Sequence, residues 1–278
     1  MREVERLIEE TCDLPTIPTV AMKVMELVSM ETTSALDLQV VIENDAGLAG
    51  RVLKISNSAL YGCRSSITNL SQAIMVMGFS ILKAVVIAAS TRNIYKRFGL
   101  TEKFLWEHSI VNGLASRQIA LKVGFGKVEE AFLAGLMHDI GKVVICNSFP
   151  AQYQQLVNRV YLEGLDFAET ETAAFGYNHL DVGWLLARKW KLPDEMAAAI
   201  RYHHDFTVEP DPLYAHFAAI VNLANSVSRF LGVGGEFHAG VNFEEMDSFK
   251  YLGLKPEDML KLVEKTQEEY QSEKQVLC

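Results

Sequence analysis

The sequence predicts an all-α protein. Apolar residues recur every three or four positions along most of the 278-residue chain, and strand-like alternation bounded by turn pairs is scarce. Apolar residues make up 49% of the chain and charged residues 22%, which is typical of a folded domain. The chain is also long enough to bury a sizeable core and to contain more than one domain.

The first predicted unit is a compact bundle of short helices. Proline fixes its own backbone and disfavours helix in the residue before it, so the two prolines of Leu14-Pro15-Thr16-Ile17-Pro18 predict an extended stretch after the first helix. Ser34 is the type of residue that caps a helix N-terminus. The predicted helices are Arg2–Thr11, Val20–Ser29, Ala35–Asn44 and one that ends near Asn57.

The most apolar stretch of the chain, Ala73–Ala89, approaches the length of a membrane span. Its interior carries Gly78, Ser80 and Lys83, which a lipid-facing helix would not favour. We therefore predict two packed core helices, or one helix broken near Gly78.

A second set of helices is predicted after Arg97-Phe98-Gly99, and a flexible break at Gly232-Val233-Gly234-Gly235 separates it from a C-terminal extension. These breaks divide the chain into residues 1–98, 99–232 and 233–278. The predicted helices are Glu102–Val123, Val128–His138, Ala151–Glu163, Asp166–Phe175, Asn178–Trp190, Asp194–His203, Leu213–Leu231, Phe243–Phe249 and Pro256–Glu273.

Charge and cysteine content restrict the partners and the compartment. The net charge of −9 argues against direct nucleic-acid binding and against attraction to an anionic membrane surface. The charged N-terminus does not resemble a signal peptide, and the four cysteines show no CxxC spacing. We expect a cytoplasmic protein with reduced thiols.

Four predicted helices each direct a histidine toward apolar neighbours: His108, His138, His179 and His203. Small residues one turn before His138 allow another helix to approach closely, which would bring side chains from several helices together. Neutral imidazoles with a carboxylate are ligands for Zn, Mn or Fe. A single histidine of this kind is more simply a core residue bonded to a backbone carbonyl or water, so the metal prediction depends on the whole set.

The ordered set resembles the HD superfamily of metal-dependent phosphohydrolases. The positions that match its extended ligand pattern are His108, His138-Asp139, His179 and His203-His204. The late aspartate of the pattern falls on Asn225, whose neutral carbonyl removes one negative charge from the site. The resemblance therefore implies weaker metal binding, or metal retained without activity. Lys142 is expected either to contact a phosphate, as the resemblance implies, or to pair with Asp139.

A closer resemblance, over about Leu14–His204, is to the HDOD family, the HD-related output domain of bacterial signalling proteins. The motifs that carry it are Leu14–Pro18, Ile42–Leu48, Ile55–Gly62 and Gln72–Gly78. It implies an N-terminal helical bundle packed on an HD-like helical core.

Three functions follow as hypotheses. The first is a non-catalytic signalling module that relays its state by binding a protein partner or a small nucleotide. The second is a metal-dependent phosphohydrolase acting on a nucleotide or phosphate ester. The third is a protein in which a metal only stabilises the bundle. In each case one or two divalent transition-metal ions (Fe, Mn or Zn) are expected, unless the ligand set is a vestige that binds none.

Overall fold

The computed structural model describes residues 2–30, 32–58, 67–96, 100–234 and 240–277, and these residues form an all-α fold without β-strands. The predicted fold class is confirmed. The helices are α1 (Arg2–Thr11), α2 (Thr19–Val28), α3 (Ala35–Glu43), α4 (Ala46–Ser56), α5 (Leu70–Thr91), α6 (Leu100–Lys122), α7 (Val128–Met137), α8 (Ile140–Ser148), α9 (Pro150–Glu163), α10 (Phe167–Phe175), α11 (His179–Lys189), α12 (Asp194–Tyr202), α13 (Pro212–Phe230), α14 (Asp247–Tyr251) and α15 (Pro256–Leu277).

Side-chain caps define the helix starts in the N-terminal bundle. Ser34 accepts from the Asp37 backbone N–H, and the Asp37 carboxylate accepts from the Ser34 backbone, which is a complete capping box. Asp45 and Asn69 cap α4 and α5 in the same manner, each accepting from a backbone N–H three residues on. Helices α2, α3 and α4 pack on α5, which in turn contacts α7. The bundle is thereby attached to the rest of the protein.

Helix α5 contains the apolar stretch and breaks where predicted. Gly78 has φ of +76°, a left-handed conformation that glycine adopts without strain, and it divides α5 into two helical segments. By length and composition α5 would qualify as a membrane span, but 61% of its most apolar window is buried inside the protein. It is a core helix with a break.

The central layer consists of α6, α7, α8, α11, α12 and α13, and glycines set its closest helix contacts. A Cβ atom at Gly135 of α7 would lie 2.7 Å from the carbonyl oxygen of Asn112 in α6. A Cβ at Gly141 of α8 would lie 2.9 Å from the backbone nitrogen of Gly183 in α11. Only glycine permits these approaches, which place the segment between α7 and α8 against both neighbouring helices.

Some predicted elements differ from the structure. The sequence does not predict α8 as a separate helix, because its apolar residues follow His138 directly and resemble a continuation of α7. The predicted helix Phe243–Phe249 is a 3-10 turn at Phe243–Glu245 followed by α14. Helix α15 continues to Leu277 and packs on α6. Residues 59–62 of the predicted motif Ile55–Gly62 lie outside the described residues.

Candidate metal centre

The structure brings all seven predicted site residues into one cluster. They come from five helices and the residues adjoining them: His108 from α6, His138 and Asp139 from the junction of α7 and α8, His179 from the start of α11, His203 and His204 from the end of α12, and Asn225 from α13. His138, His179 and His203 are fully buried, whereas the His204 side chain is 29% exposed at the rim.

The carboxylate of Asp139 lies at the centre of the cluster. Its Oδ1 is 3.5 Å from His179 Nε2 and 3.7 Å from His203 Nε2. Its Oδ2 is 3.3 Å from His138 Nε2 and 3.9 Å from His108 Nε2. The two oxygens thus face two different groups of histidines.

We name these groups the triad subsite and the pair subsite. The triad subsite comprises His179, His203, His204 and Oδ1 of Asp139; the pair subsite comprises His108, His138 and Oδ2 of Asp139, with Asn225 beside His108. Within each of the groups His179–His203–His204 and His108–His138–Asp139, the potential ligand atoms lie within 4.8 Å of one another.

Hydrogen bonds on the outer ring nitrogens orient three of the imidazoles. His138 Nδ1 is 2.7 Å from the Gly135 carbonyl oxygen, and His203 Nδ1 is 2.8 Å from the Ile200 carbonyl oxygen. Because a carbonyl only accepts, each Nδ1 carries the proton and each Nε2 presents a lone pair to the centre. Such bonds are the usual means of fixing the tautomer of a metal-binding histidine.

His179 is oriented by a carboxylate instead. Glu171, fully buried on α10, accepts from the His179 backbone N–H at 2.7 Å and from its Nδ1–H at 2.6 Å. The other oxygen of Glu171 accepts from the Tyr153 hydroxyl at 2.7 Å. Sequence reasoning missed both residues, because Glu171 is one of two glutamates in the short helix α10 and nothing in the sequence distinguishes it as the buried one.

The surroundings favour an ionised carboxylate at Asp139 and neutral imidazoles at His203 and His204. Burial alone would raise the pKa of Asp139, but His138 and Lys142 outweigh it and hold the pKa well below its usual range. Burial, followed by the neighbouring His204 and His138, lowers the pKa of His203 well below its usual value. Burial and His179 lower the pKa of His204 to about 3. These protonation states are those that metal ligands require.

The triad subsite fits a divalent metal. Among the described residues, Asp139 Oδ1 and His203 Nε2 have no hydrogen-bond partner although both are buried. The separations from Asp139 Oδ1 are 3.5 Å to His179 and 3.7 Å to His203, and His179 Nε2 is 3.3 Å from His204 Nε2. Four ligands about 2.1 Å from a tetrahedral zinc lie about 3.4 Å apart. The residues present therefore match such an ion in atom type and spacing.

The pair subsite has other partners. His108 Nε2 is 3.0 Å from Asn225 Oδ1, at the position where the ligand pattern expects a carboxylate. Lys142 Nζ is 2.8 Å from Asp139 Oδ2 and 4.5 Å from the centre of the Phe167 ring. Of the two expectations for Lys142, the structure contains the ion pair with Asp139.

A cavity of about 180 Å³ leads to the rim of the cluster. Its wall includes Lys142, Tyr161, Phe167, His204, Asn225 and Arg229. The wall thus combines two cationic side chains and the carboxylate of Asp166 with two aromatic rings, and the rings of Tyr161 and Phe167 pack edge to face at 5.9 Å. This arrangement suits an anionic ligand that also has an apolar or aromatic part.

Comparison with known proteins places these observations in a family context. A family model described as the HDOD domain matches residues 14–206. An uncharacterized protein of Treponema pallidum (strain Nichols) is 23% identical over 220 residues, which are 79% of this chain and 43% of that protein. The chain thus spans under half the length of this curated relative.

Solved structures share the fold. The crystal structure of an HDOD domain protein of unknown function from Geobacter sulfurreducens is 24% identical, with a TM-score of 0.77 over 99% of this chain and 95% of the other. A proposed metal-dependent phosphohydrolase from Shewanella amazonensis SB2B is 21% identical, with a TM-score of 0.69 over 97% of this chain and 96% of the other. At these identities the likeness establishes the fold alone.

Proposed function

Because the chain belongs to the HDOD family, we propose that it is a regulatory module of bacterial signal transduction that holds a divalent metal and relays a signal by binding a small nucleotide or a protein partner. The family model covers most of the chain, including every predicted metal ligand up to His204. Within this proposal the module is non-catalytic.

One observation carries the non-catalytic reading: the hydrogen bond of 3.0 Å between His108 Nε2 and Asn225 Oδ1. A divalent ion would supply Lewis acidity toward a phosphoryl group. A carboxylate at position 225 would have added a negative ligand, but an amide adds none and engages the histidine directly. The pair subsite therefore lacks one negative charge of a complete HD-type ligand set.

The cavity supports a small phosphate-bearing ligand. Arg229 offers positive charge at its wall, beside the Lys142 ammonium that is paired with Asp139, in a protein whose net charge is −9. Tyr161 is 49% exposed and packs edge to face on Phe167, so an aromatic base could stack beside this pair of rings. A nucleotide satisfies both features, with its phosphate toward the cations and its base toward Tyr161.

Calorimetry of the metal-loaded protein with a panel of nucleotides tests this proposal. We expect saturable binding without turnover, and Arg229→Gln should weaken it by about tenfold because an ion pair to phosphate is lost. Arg159→Gln is the matched control, since Arg159 pairs with Glu163 on α9 and does not line the cavity. Equal loss in both variants, or no binding by any nucleotide, would contradict the nucleotide part of the proposal.

The phosphohydrolase is the second candidate, and the position of the cavity favours it. The cavity reaches His204 and Lys142, so a phosphate bound there would lie beside the triad subsite. Assay of the same panel for phosphate release distinguishes the two functions. Turnover that is lost in Asp139→Asn, with the fold retained, would replace the non-catalytic proposal by this one.

A metal with only a structural role is the third hypothesis, and it predicts a different result. Four protein donors face one another in the triad subsite, which is the ligand number of a closed structural zinc site. Under this hypothesis the metal stabilises the fold, while nucleotide affinity is the same with and without it. The calorimetric titration, repeated after metal removal, separates the two readings.

A further inference from the structure

The two subsites differ in whether their lone pairs are already engaged. In the triad subsite, Nδ1 of His179 and of His203 donates to Glu171 and to the Ile200 carbonyl, respectively. Each Nε2 is therefore an acceptor directed at Asp139 Oδ1, which has no hydrogen-bond partner among the described residues. Two imidazole lone pairs and one carboxylate oxygen thus converge on one point, where His203 Nε2 and Asp139 Oδ1 have no hydrogen-bond partner among the described residues and His179 Nε2 has only His204.

His204 completes this set from the rim. Its Nε2 lies 3.3 Å from His179 Nε2, too close for two bare lone pairs without a proton or an ion between them. Its other nitrogen, Nδ1, is 4.0 Å from Asp166, beyond hydrogen-bond distance, so no such bond fixes its tautomer. In the tautomer protonated on Nδ1, His204 presents the fourth lone pair, and a metal ion would then take the place of the proton between the two Nε2 atoms.

In the pair subsite the corresponding atoms are engaged. His108 Nε2 faces the carbonyl oxygen of Asn225, which only accepts, so this nitrogen carries a proton and offers no lone pair. His138 Nε2 accepts from the side-chain amide of Asn112 at 3.3 Å. The orientation of that amide is set by Ser116, whose hydroxyl donates to the Asn112 carbonyl oxygen at 3.2 Å.

A fixed cation completes the pair subsite. The Lys142 ammonium is 2.8 Å from Asp139 Oδ2 and only 8% of its side chain is exposed. The ammonium compensates the negative charge of Asp139 Oδ2, the oxygen to which a second metal ion would bind. The ammonium and a divalent ion at this oxygen would repel each other in a buried, poorly screened setting.

We infer that the cluster holds one divalent ion, in the triad subsite, and that Lys142 and Asn225 take the place of a second ion in the pair subsite. This inference rests on the proposed metal binding and specifies its stoichiometry and location. The resemblance to the HD superfamily would instead suggest a metal held by His108, His138, Asp139 and the residue at position 225. In this protein the atoms of that set are already engaged by other partners.

Equilibrium dialysis against Mn²⁺, followed by elemental analysis, tests the inference on the full chain. We expect one equivalent in the native protein, with the electron paramagnetic resonance spectrum of an isolated Mn²⁺ ion. His204→Gln should weaken binding by at least tenfold, and His108→Gln should retain the single ion with less than about threefold change. His216→Gln is the control for a histidine outside the cluster, and circular dichroism verifies that each variant is folded.

The outcomes separate this inference from the broader proposal. Two equivalents with a spin-coupled pair in the native protein would overturn the inference and leave metal binding intact. Loss of the ion in folded His108→Gln but not in His204→Gln would overturn it as well. Absence of bound Mn²⁺, Zn²⁺ and Fe²⁺ would overturn both the inference and the metal part of the proposed function.

As a gain-of-binding test, Lys142→Met combined with Asn225→Asp removes the ammonium and restores a carboxylate. This double variant should bind a second equivalent of Mn²⁺ and develop a coupled spectrum. If the folded double variant still binds a single ion, then Lys142 and Asn225 do not replace the second ion and the inference fails.

Discussion

Glu171→Gln replaces the buried carboxylate that orients His179 by a neutral amide of nearly the same shape. Glu171 accepts three hydrogen bonds, two from His179 and one from Tyr153. In the best arrangement of the variant, the glutamine oxygen still accepts from His179, and its amino group faces the Tyr153 hydroxyl, which rotates to accept. The variant therefore keeps its bonds but loses their charge.

The magnitude follows from that exchange. Charge-assisted hydrogen bonds contribute roughly 1.5–3 kcal/mol and neutral ones roughly 0.5–1.5 kcal/mol, so each of the three bonds weakens by about 1 kcal/mol and we expect the metal-free variant to lose about 3 kcal/mol of folding free energy. The His179 imidazole also becomes a weaker ligand, and loss of such an outer partner lowers metal affinity by about 10- to 100-fold. Urea unfolding and Mn²⁺ dialysis measure the two effects separately.

Tyr153→Phe is the matched control for Glu171→Gln. It removes one hydrogen bond from the same carboxylate but leaves both contacts of Glu171 with His179. We expect a loss of about 1–2 kcal/mol in folding free energy and a change of less than about threefold in metal affinity. Unchanged metal affinity in folded Glu171→Gln, or equal losses in the two variants, would refute the role of Glu171 as a positioning residue.

Three further predictions concern the cluster and its supports. Asn225→Asp alone should tighten metal binding, as dialysis would measure; unchanged affinity would mean that position 225 does not influence the site. In urea unfolding, Gly141→Ala should lower the free energy of unfolding by about 3 kcal/mol, because the added Cβ would collide with α11. Gly50→Ala is the control: nothing lies within 4 Å of the added atom, so the variant should be neutral or slightly stabilised. The lowered pKa of His203 means that the unfolded chain takes up a proton below pH 6.5 while the folded metal-free protein does not. The free energy of unfolding should therefore fall by about 1.4 kcal/mol per pH unit below that value. Urea unfolding that gives the same free energy above and below pH 6.5 would contradict this prediction.

Sequence patterns were sufficient for most of the helical architecture and for the set of side chains that comes together in the cluster. Helical periodicity identifies most of the elements, and Gly78 marks the break in α5 because only a residue tolerant of positive φ fits there. The spacing of the histidines on apolar faces placed His108, His138, His179 and His203 in one core region, and the structure brings them together.

The outer contacts of the cluster were not predictable in the same way. Glu171 lies in a helix with two glutamates and two threonines, and only packing between α9, α10 and α11 decides that this carboxylate is the buried one. The sequence left two roles open for Lys142, contact with a phosphate or an ion pair with Asp139. A position one helical turn after Asp139 is compatible with both roles. The sequence does not distinguish helix α8 from α7, because the junction at Asp139 has no proline or side-chain cap to separate the two helices.

Elemental analysis of protein purified without chelator tests the central claim most directly. The account predicts about one equivalent of a divalent transition metal, lost together with folding stability on treatment with a strong chelator. The claim is contradicted if less than about 0.2 equivalents are present and none of Mn²⁺, Fe²⁺ and Zn²⁺ restores binding.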